Sequence, residues 1–232
     1  MVSIYGNISL RKVIFMIRNR LAELLAERNL RITKVANDTG ISRNTITTVA
    51  QNNSKMIQMD TINALCKYLG VTHCEFFSYV PFDLEVTLHP SFTELKAEVI
   101  DNDFEIEHLL HEFKMFIDVH ERNTLRSLEL DGYVAFYEPN WNVDFHVDFS
   151  SEDDNKYFDK IKGLMPVGMI AQFTDDLKIQ LSEYWEQEIS KYLKENPLKG
   201  KASVTDSLFS FLKEYGRQRF LSNSTVFNRY PV

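Results

Sequence analysis

The sequence predicts an all-α bundle of five short helices followed by an α+β domain, in which helices pack on an antiparallel β-meander. Three observations carry this. Short helical periods, punctuated by capping residues and glycines, run up to residue 80. A two-residue alternation of apolar and polar residues then takes over, clearest from Phe82 to Leu88 and from Val143 to Phe149. The helical period returns after Asp153.

In order, Met16 to Arg28 reads as an amphipathic helix, with Ile17, Leu21, Leu24 and Leu25 on one stripe and Arg18, Arg20, Glu23 and Glu27 outside it. A second helix runs from about Ile32 to Thr39, where Gly40 supplies the left-handed backbone of a tight turn. Ser42 has the side chain of an N-cap for a third helix through Ala50. Polar residues 51–55 form a loop, Asp60 caps a fourth helix closed by Gly70, and Thr72 caps a fifth through about Tyr79. Pro81 marks the boundary, giving residues 1–15 as a leader or arm, 16–80 as the bundle and 81–232 as the α+β domain. Beyond it, Phe82 to Leu88 is a strand, 103–111 a short helix, and Phe113 to Val119, Leu125 to Tyr137 and Trp141 to Phe149 further strands. Glu138-Pro139-Asn140 is the turn of a hairpin, and helices follow at about 153–163, 170–195 and 204–215.

The net charge of -7 argues at first sight against a polyanionic partner. Its distribution argues otherwise: residues 1–80 hold 10 Lys+Arg against 5 Asp+Glu, while the remainder holds 16 against 28. A basic first third joined to an acidic remainder is the charge pattern of a chain with one end that meets phosphates. Cys66 and Cys74 lack metal or redox spacing and read as reduced thiols of a cytoplasmic protein. No apolar run approaches bilayer length.

Residues Lys34 to Val49 have the spacing of a helix-turn-helix. Ala36 is small where two helices cross, Gly40 turns the chain, and Ile41, Ile46 and Val49 bury to fix the interhelical angle. That leaves Ser42, Arg43, Asn44, Thr47, Thr48 and Gln51 on or beside the outward face, where they offer hydrogen bonds and methyl contacts to base edges. No Asp or Glu occurs between Gly40 and Met59. Arg18, Arg20, Arg31, Lys34, Asn53 and Lys55 are candidates to grip phosphates.

The run Ile41-Ser42-Arg43-Asn44-Thr45-Ile46, followed by Asp60-Thr61-Ile62 and Leu69-Gly70-Val71-Thr72, resembles the Cro/phage-repressor type of helix-turn-helix, the lambda-repressor-like or Xre superfamily, over residues 16–80. The resemblance implies a five-helix domain that binds double-stranded operators, usually as a homodimer, with its third helix in the major groove. Two positions depart from the family pattern. Arg31 stands where a Ser or Thr often caps the second helix, and Asn52 or Asn53 replaces the glycine usual after the third.

Residues 81–232 carry no HExxH, Gly-rich phosphate loop, GxSxG or CxxC, so the sequence names no catalytic residue, metal or cofactor. Some two-domain repressors self-cleave at Ala-Gly or Cys-Gly, but none of the eight glycines here follows Ala or Cys. His108 and His111 are three apart, with His120 and His146 farther on, yet such spacings more often mark ordinary polar positions than a metal site. The expectation is a dimeric repressor of mobile-element type whose acidic domain dimerises and binds an inducing or antirepressor protein. An autoregulating antitoxin and a transcriptional activator are the competing readings.

Overall fold

The computed structural model describes residues 12–14, 16–101, 103–137, 142–197 and 205–214. Two separate hydrophobic cores organise them, one built from Leu21 to Phe76 and one from Val80 to Leu212.

The first core belongs to five helices: α1 (Leu21–Glu27), α2 (Ile32–Thr39), α3 (Arg43–Ala50), α4 (Met59–Leu69) and α5 (His73–Phe76). Leu21, Val35, Ile46, Leu65 and Phe76 are completely buried at its centre. Gly40 and Gly70 end α2 and α4 in the left-handed region, at φ +74° and +66°. Thr72 and Glu75 close a capping box on α5, with the Thr72 N–H donating to the Glu75 carboxylate at 2.7 Å.

The helical reading of residues 16–20 is overturned. Ile17–Asn19 is a strand, β2, which pairs antiparallel with β3 (Phe77–Tyr79). Ile17 is 60% exposed rather than buried, and α1 begins only at Leu21. Pairing with β3 holds the segment extended, and at its end the buried Asn19 side chain takes the Leu21 N–H in an Asx-type bond that competes with helix. β3 corrects the fifth helix in turn, since helical structure stops at Phe76 rather than Tyr79. Asp60 is not the cap of α4: the helix starts at Met59 with Gln58 as its N-cap, and Asp60 lies in the first turn, where its charge favours the positive end of the helix dipole.

The second core lies between a five-stranded antiparallel sheet and its covering helices. The sheet order is β1 (Lys12–Ile14), β4 (Asp83–Ile100), β5 (Asp103–Glu121), β6 (Thr124–Tyr137), β7 (Asn142–Phe149). Part of the expected arm is thus an edge strand, β1, paired with β4, while 1–11 and 15 lie outside the described residues. The Glu138-Pro139-Asn140 turn also lies outside them, although Tyr137 pairs with Asn142 across the β6–β7 ladder. Leu84, Val86 and Leu88 of β4 face the core beside Met115, Ile117 and Val119 of β5 and Leu128 and Leu130 of β6. Against this face pack α6 (Glu152–Lys162), the 29-residue α7 (Val167–Glu195) and a helical stretch at 205–214. The Trp185 indole N–H donates to the Leu212 carbonyl at 3.0 Å and ties the last two together.

Residues 103–111, expected as a helix, are the first half of β5. The ladder pairs Ala97 with Ile106 but Lys96 with His108, so Glu107 is an inserted bulge residue. The bulge brings Ile106 and Leu109 to the same buried face at a spacing of three, which imitates a helical stripe. From His108 to His111 the register is regular, so their odd spacing puts them on opposite faces: His108 lies near Glu94 (3.5 Å), whereas His111 is fully buried in the core. Among the described residues no cluster of three or more His, Cys, Asp or Glu is arranged to hold a metal ion, and no helix is long and apolar enough to cross a membrane.

Candidate nucleic-acid interface

The turn between α2 and α3 is built by local hydrogen bonds. The Gly40 N–H donates to the Ala36 carbonyl at 2.9 Å, and Thr39 Oγ1 donates to the Val35 carbonyl at 2.7 Å. Ser42 then caps α3, its Oγ accepting the Thr45 N–H at 3.0 Å. Ile46 and Val49 are buried, so the opposite side of α3 is turned to solvent.

On that side Ser42, Arg43, Asn44, Thr45 and Gln51 are exposed and Thr47 and Thr48 are half-buried. The two threonine hydroxyls donate to the Arg43 and Asn44 carbonyls, at 2.9 and 2.8 Å, which leaves a lone pair and a methyl group on each. Thr45, absent from the sequence-based set, belongs on this surface as well, with its Oγ1 2.8 Å from Ser42 Oγ. Helical spacing places residues 44, 47, 48 and 51 on one stripe.

The cationic candidates divide into two groups. Arg31, Lys34 and Lys55, with the polar Asn53, are exposed around the helix-turn-helix. Lys34 reaches Asp38 at 2.9 Å, and Tyr68 donates to the same carboxylate at 2.7 Å. The Tyr68 and Lys34 hydrogen bonds hold the Asp38 carboxyl below its usual range. Arg18 and Arg20 are otherwise engaged. Arg20 Nε donates to Glu23 Oε2 at 2.9 Å, and its Nη2 to Glu27 Oε1 at 3.3 Å. Arg18 Nη2 is 3.3 Å from Glu23 Oε1, with the Arg18 side chain only 11% exposed. The pair lies against the first turn of α7, where a Cβ on Gly168 would overlap Glu23 Oε1.

The support behind α3 is made by residues about thirty positions apart in sequence. Asn52, at φ +53°, takes the left-handed conformation expected at 52 or 53, and its side chain meets Asn19. Asn19 Nδ2 donates to the Val49 carbonyl (2.8 Å) and to Asn52 Oδ1 (2.7 Å), the Asn19 N–H donates to the same oxygen (2.9 Å), and Asn52 Nδ2 donates back to the Asn19 carbonyl (3.1 Å). This double asparagine staple fixes the C-terminal end of α3 to β2. The one available signal is an Asn two residues ahead of the first buried Leu, an Asx pattern that a helical-stripe reading passes over.

A family model described as the Cro/C1-type HTH DNA-binding domain matches residues 20–81. No curated protein and no solved structure matches the chain. The match covers all five helices and stops as the large sheet begins. With the turn at Gly40, the cap at Ser42 and the outward polar face of α3 in place, residues 20–81 are a Cro/C1-type helix-turn-helix DNA-binding domain, and the chain is a DNA-binding transcription regulator.

Proposed function

We propose that the protein is a repressor that binds its operator as a dimer, reading base edges with Ser42, Arg43, Asn44, Thr47, Thr48 and Gln51. The observation that carries this reading is the surface of α3, free of acidic residues and rich in hydrogen-bonding groups, above a locked aliphatic underside. Arg43 suits a guanine edge and Asn44 an adenine edge, and the threonine methyls suit thymine. Arg31, Lys34, Asn53 and Lys55 are the proposed phosphate contacts. Arg18 and Arg20, bound to carboxylates, hold the β2–α1 corner instead. Residues 81–232 are the proposed effector and oligomerisation domain, released by an inducing protein, and their excess of acids keeps this half of the chain off the duplex.

The test is a titration of duplexes from the gene's own promoter region. Arg43→Ala or Asn44→Ala should cost about 1–3 kcal/mol and relax specificity at particular base pairs. Lys55→Ala should weaken all duplexes alike and flatten the salt dependence. Wild-type affinity in both α3 variants would overturn the assignment, and light scattering on the complex decides the dimer.

A further inference from the structure

The first turn of α7 meets the corner where β2 runs into α1. A Cβ on Gly168 would overlap Glu23 Oε1 and would lie 2.6 Å from Glu23 Cδ and 3.2 Å from Arg18 Nη1, so bare backbone is what fits against this pair. Glycine is a poor helix former, and at this helical position what it provides is the room that the Glu23 carboxylate occupies.

The corner itself is imperfectly satisfied. Arg18 Nη2 lies 3.3 Å from Glu23 Oε1, and Arg20 Nε donates to the other carboxylate oxygen at 2.9 Å. Yet Arg18 Nε, Arg18 Nη1 and Glu23 Oε1 are shut off from solvent without a hydrogen-bond partner. Burial pulls the Arg18 guanidinium down from its usual value, and the carboxylates of Glu23 and of Asp176, on α7, oppose that shift. Polar atoms left in this state gain hydrogen bonds to water once the contact opens. The closure of α7 on the corner is therefore weaker than the apolar packing within either core.

Behind the corner a short path leads to α3. Arg18 and Asn19 are neighbours on β2, and Asn19 Nδ2 donates to the Val49 carbonyl at 2.8 Å and to Asn52 Oδ1 at 2.7 Å, at the C-terminal end of α3. A movement of Arg18 reaches α3 through the next residue and its hydrogen bonds.

We propose that the contact of Gly168 with Arg18 and Glu23 is the point at which residues 81–232 control DNA binding. Closed, it holds β2, and through the asparagine staple α3, in the orientation that binds. Opened, it lets the staple shift, and affinity for DNA falls. Arg18, Glu23 and Gly168 are positioning residues that touch neither base nor phosphate. The assignment rests on the proposed release by an inducing protein and deepens it, because it names the contact that such a partner has to open.

The experiment titrates full-length wild type, Gly168→Ala, Glu23→Ala and the double variant with a duplex from the gene's own promoter region, over a series of salt concentrations. Gly168→Ala leaves the whole helix-turn-helix surface unchanged and should weaken binding at least about five-fold. Its salt slope should equal that of wild type, since no phosphate contact is lost. Without the Glu23 side chain the added methyl has no carboxylate to displace, so the double variant should bind as Glu23→Ala does. Alanine is the better helix former, so Gly168→Ala is expected to fold, with circular dichroism as the check. Unchanged or tighter binding by Gly168→Ala overturns the proposal. A salt slope flattened by about 0.9, the mark of one direct phosphate contact, does so too, as does a double variant that adds the two losses. Amide hydrogen exchange needs no DNA. The Asn19, Gln51 and Asn52 amides, all hydrogen-bonded in this structure, should exchange faster in Gly168→Ala while those of α4 keep their rates. Unchanged exchange overturns the proposal even where no duplex is bound, which keeps its failure distinct from a failure of the repressor reading.

Discussion

The substitution Asn19→Asp separates two accounts of this residue. If Asn19 merely caps α1, Asp is an equal or better choice: Asn and Asp are comparable caps, and a negative charge near a helix N-terminus contributes about 0.3–1 kcal/mol. The staple predicts the opposite. Nδ2 sits 2.8 Å from the Val49 carbonyl and 2.7 Å from Asn52 Oδ1, and the substitution puts an acceptor oxygen against both acceptors. Two hydrogen bonds at about 1 kcal/mol each are lost, and a carboxylate at a 3% exposed position faces like partial charges, which adds roughly 1–3 kcal/mol. Net destabilisation should be about 2–4 kcal/mol, a large part of a typical total of roughly 5–15 kcal/mol. Urea denaturation followed by circular dichroism measures it. A second expectation concerns pH. The introduced carboxyl, facing acceptors on its inner side, titrates higher folded than unfolded, and its protonated form can donate again. The deficit relative to wild type should therefore shrink as pH falls through that raised value. A variant within about 0.5 kcal/mol of wild type at neutral pH would refute the staple.

Two further substitutions probe the sheet domain. A Cβ on Gly132 would overlap Phe113 Cζ and lie 2.5 and 2.9 Å from two more atoms of that ring, which is boxed in by His111 and Phe145. Gly132→Ala should therefore destabilise by about 1–3 kcal/mol in urea titration despite the usual advantage of Ala over Gly in a strand, and a stability gain would contradict the packing. His111 is held neutral by burial, with its pKa pushed down from 6.5 to about 4. Below pH 6.5 the unfolded chain takes the proton and the folded one does not, so stability is lost as pH falls between these values and levels off beneath about 4. The gap amounts to about 3 kcal/mol, so the stability of wild type minus that of His111→Gln should fall by that amount between about pH 7 and 4, and a constant difference would show the imidazole to be accessible.

The helix-turn-helix was legible because each of its signals is local. Gly40 takes a conformation other residues avoid, Ser42 caps within three residues, and the Ile46–Val49 spacing sets the buried side of α3. The elements misread are those fixed by partners distant in sequence. Ile17–Asn19 is extended because Phe77–Tyr79 lies beside it, and Asn19 is buried because Val49 and Asn52 accept and return its hydrogen bonds. In β5, the Glu107 bulge turned a strand into the likeness of a helix, and only the register with β4 reveals it.

The junction between the two cores is more than a linker. A simple connection would leave the helix-turn-helix domain free to swing, but here β3 leads through Val80 directly into the sheet, and the Val80 N–H donates back to the Met16 carbonyl at 2.9 Å. The Met16 N–H in turn donates to Asp83 Oδ1 at 2.5 Å, so both strands of the small β2–β3 sheet are bonded where the large sheet begins. A third tie is the Arg18–Glu23 pair packed on Gly168, where any side chain would displace Glu23. These ties converge on β2, the strand that Asn19 staples to the end of α3. The orientation of α3 is therefore set from the junction side as well as from its own bundle.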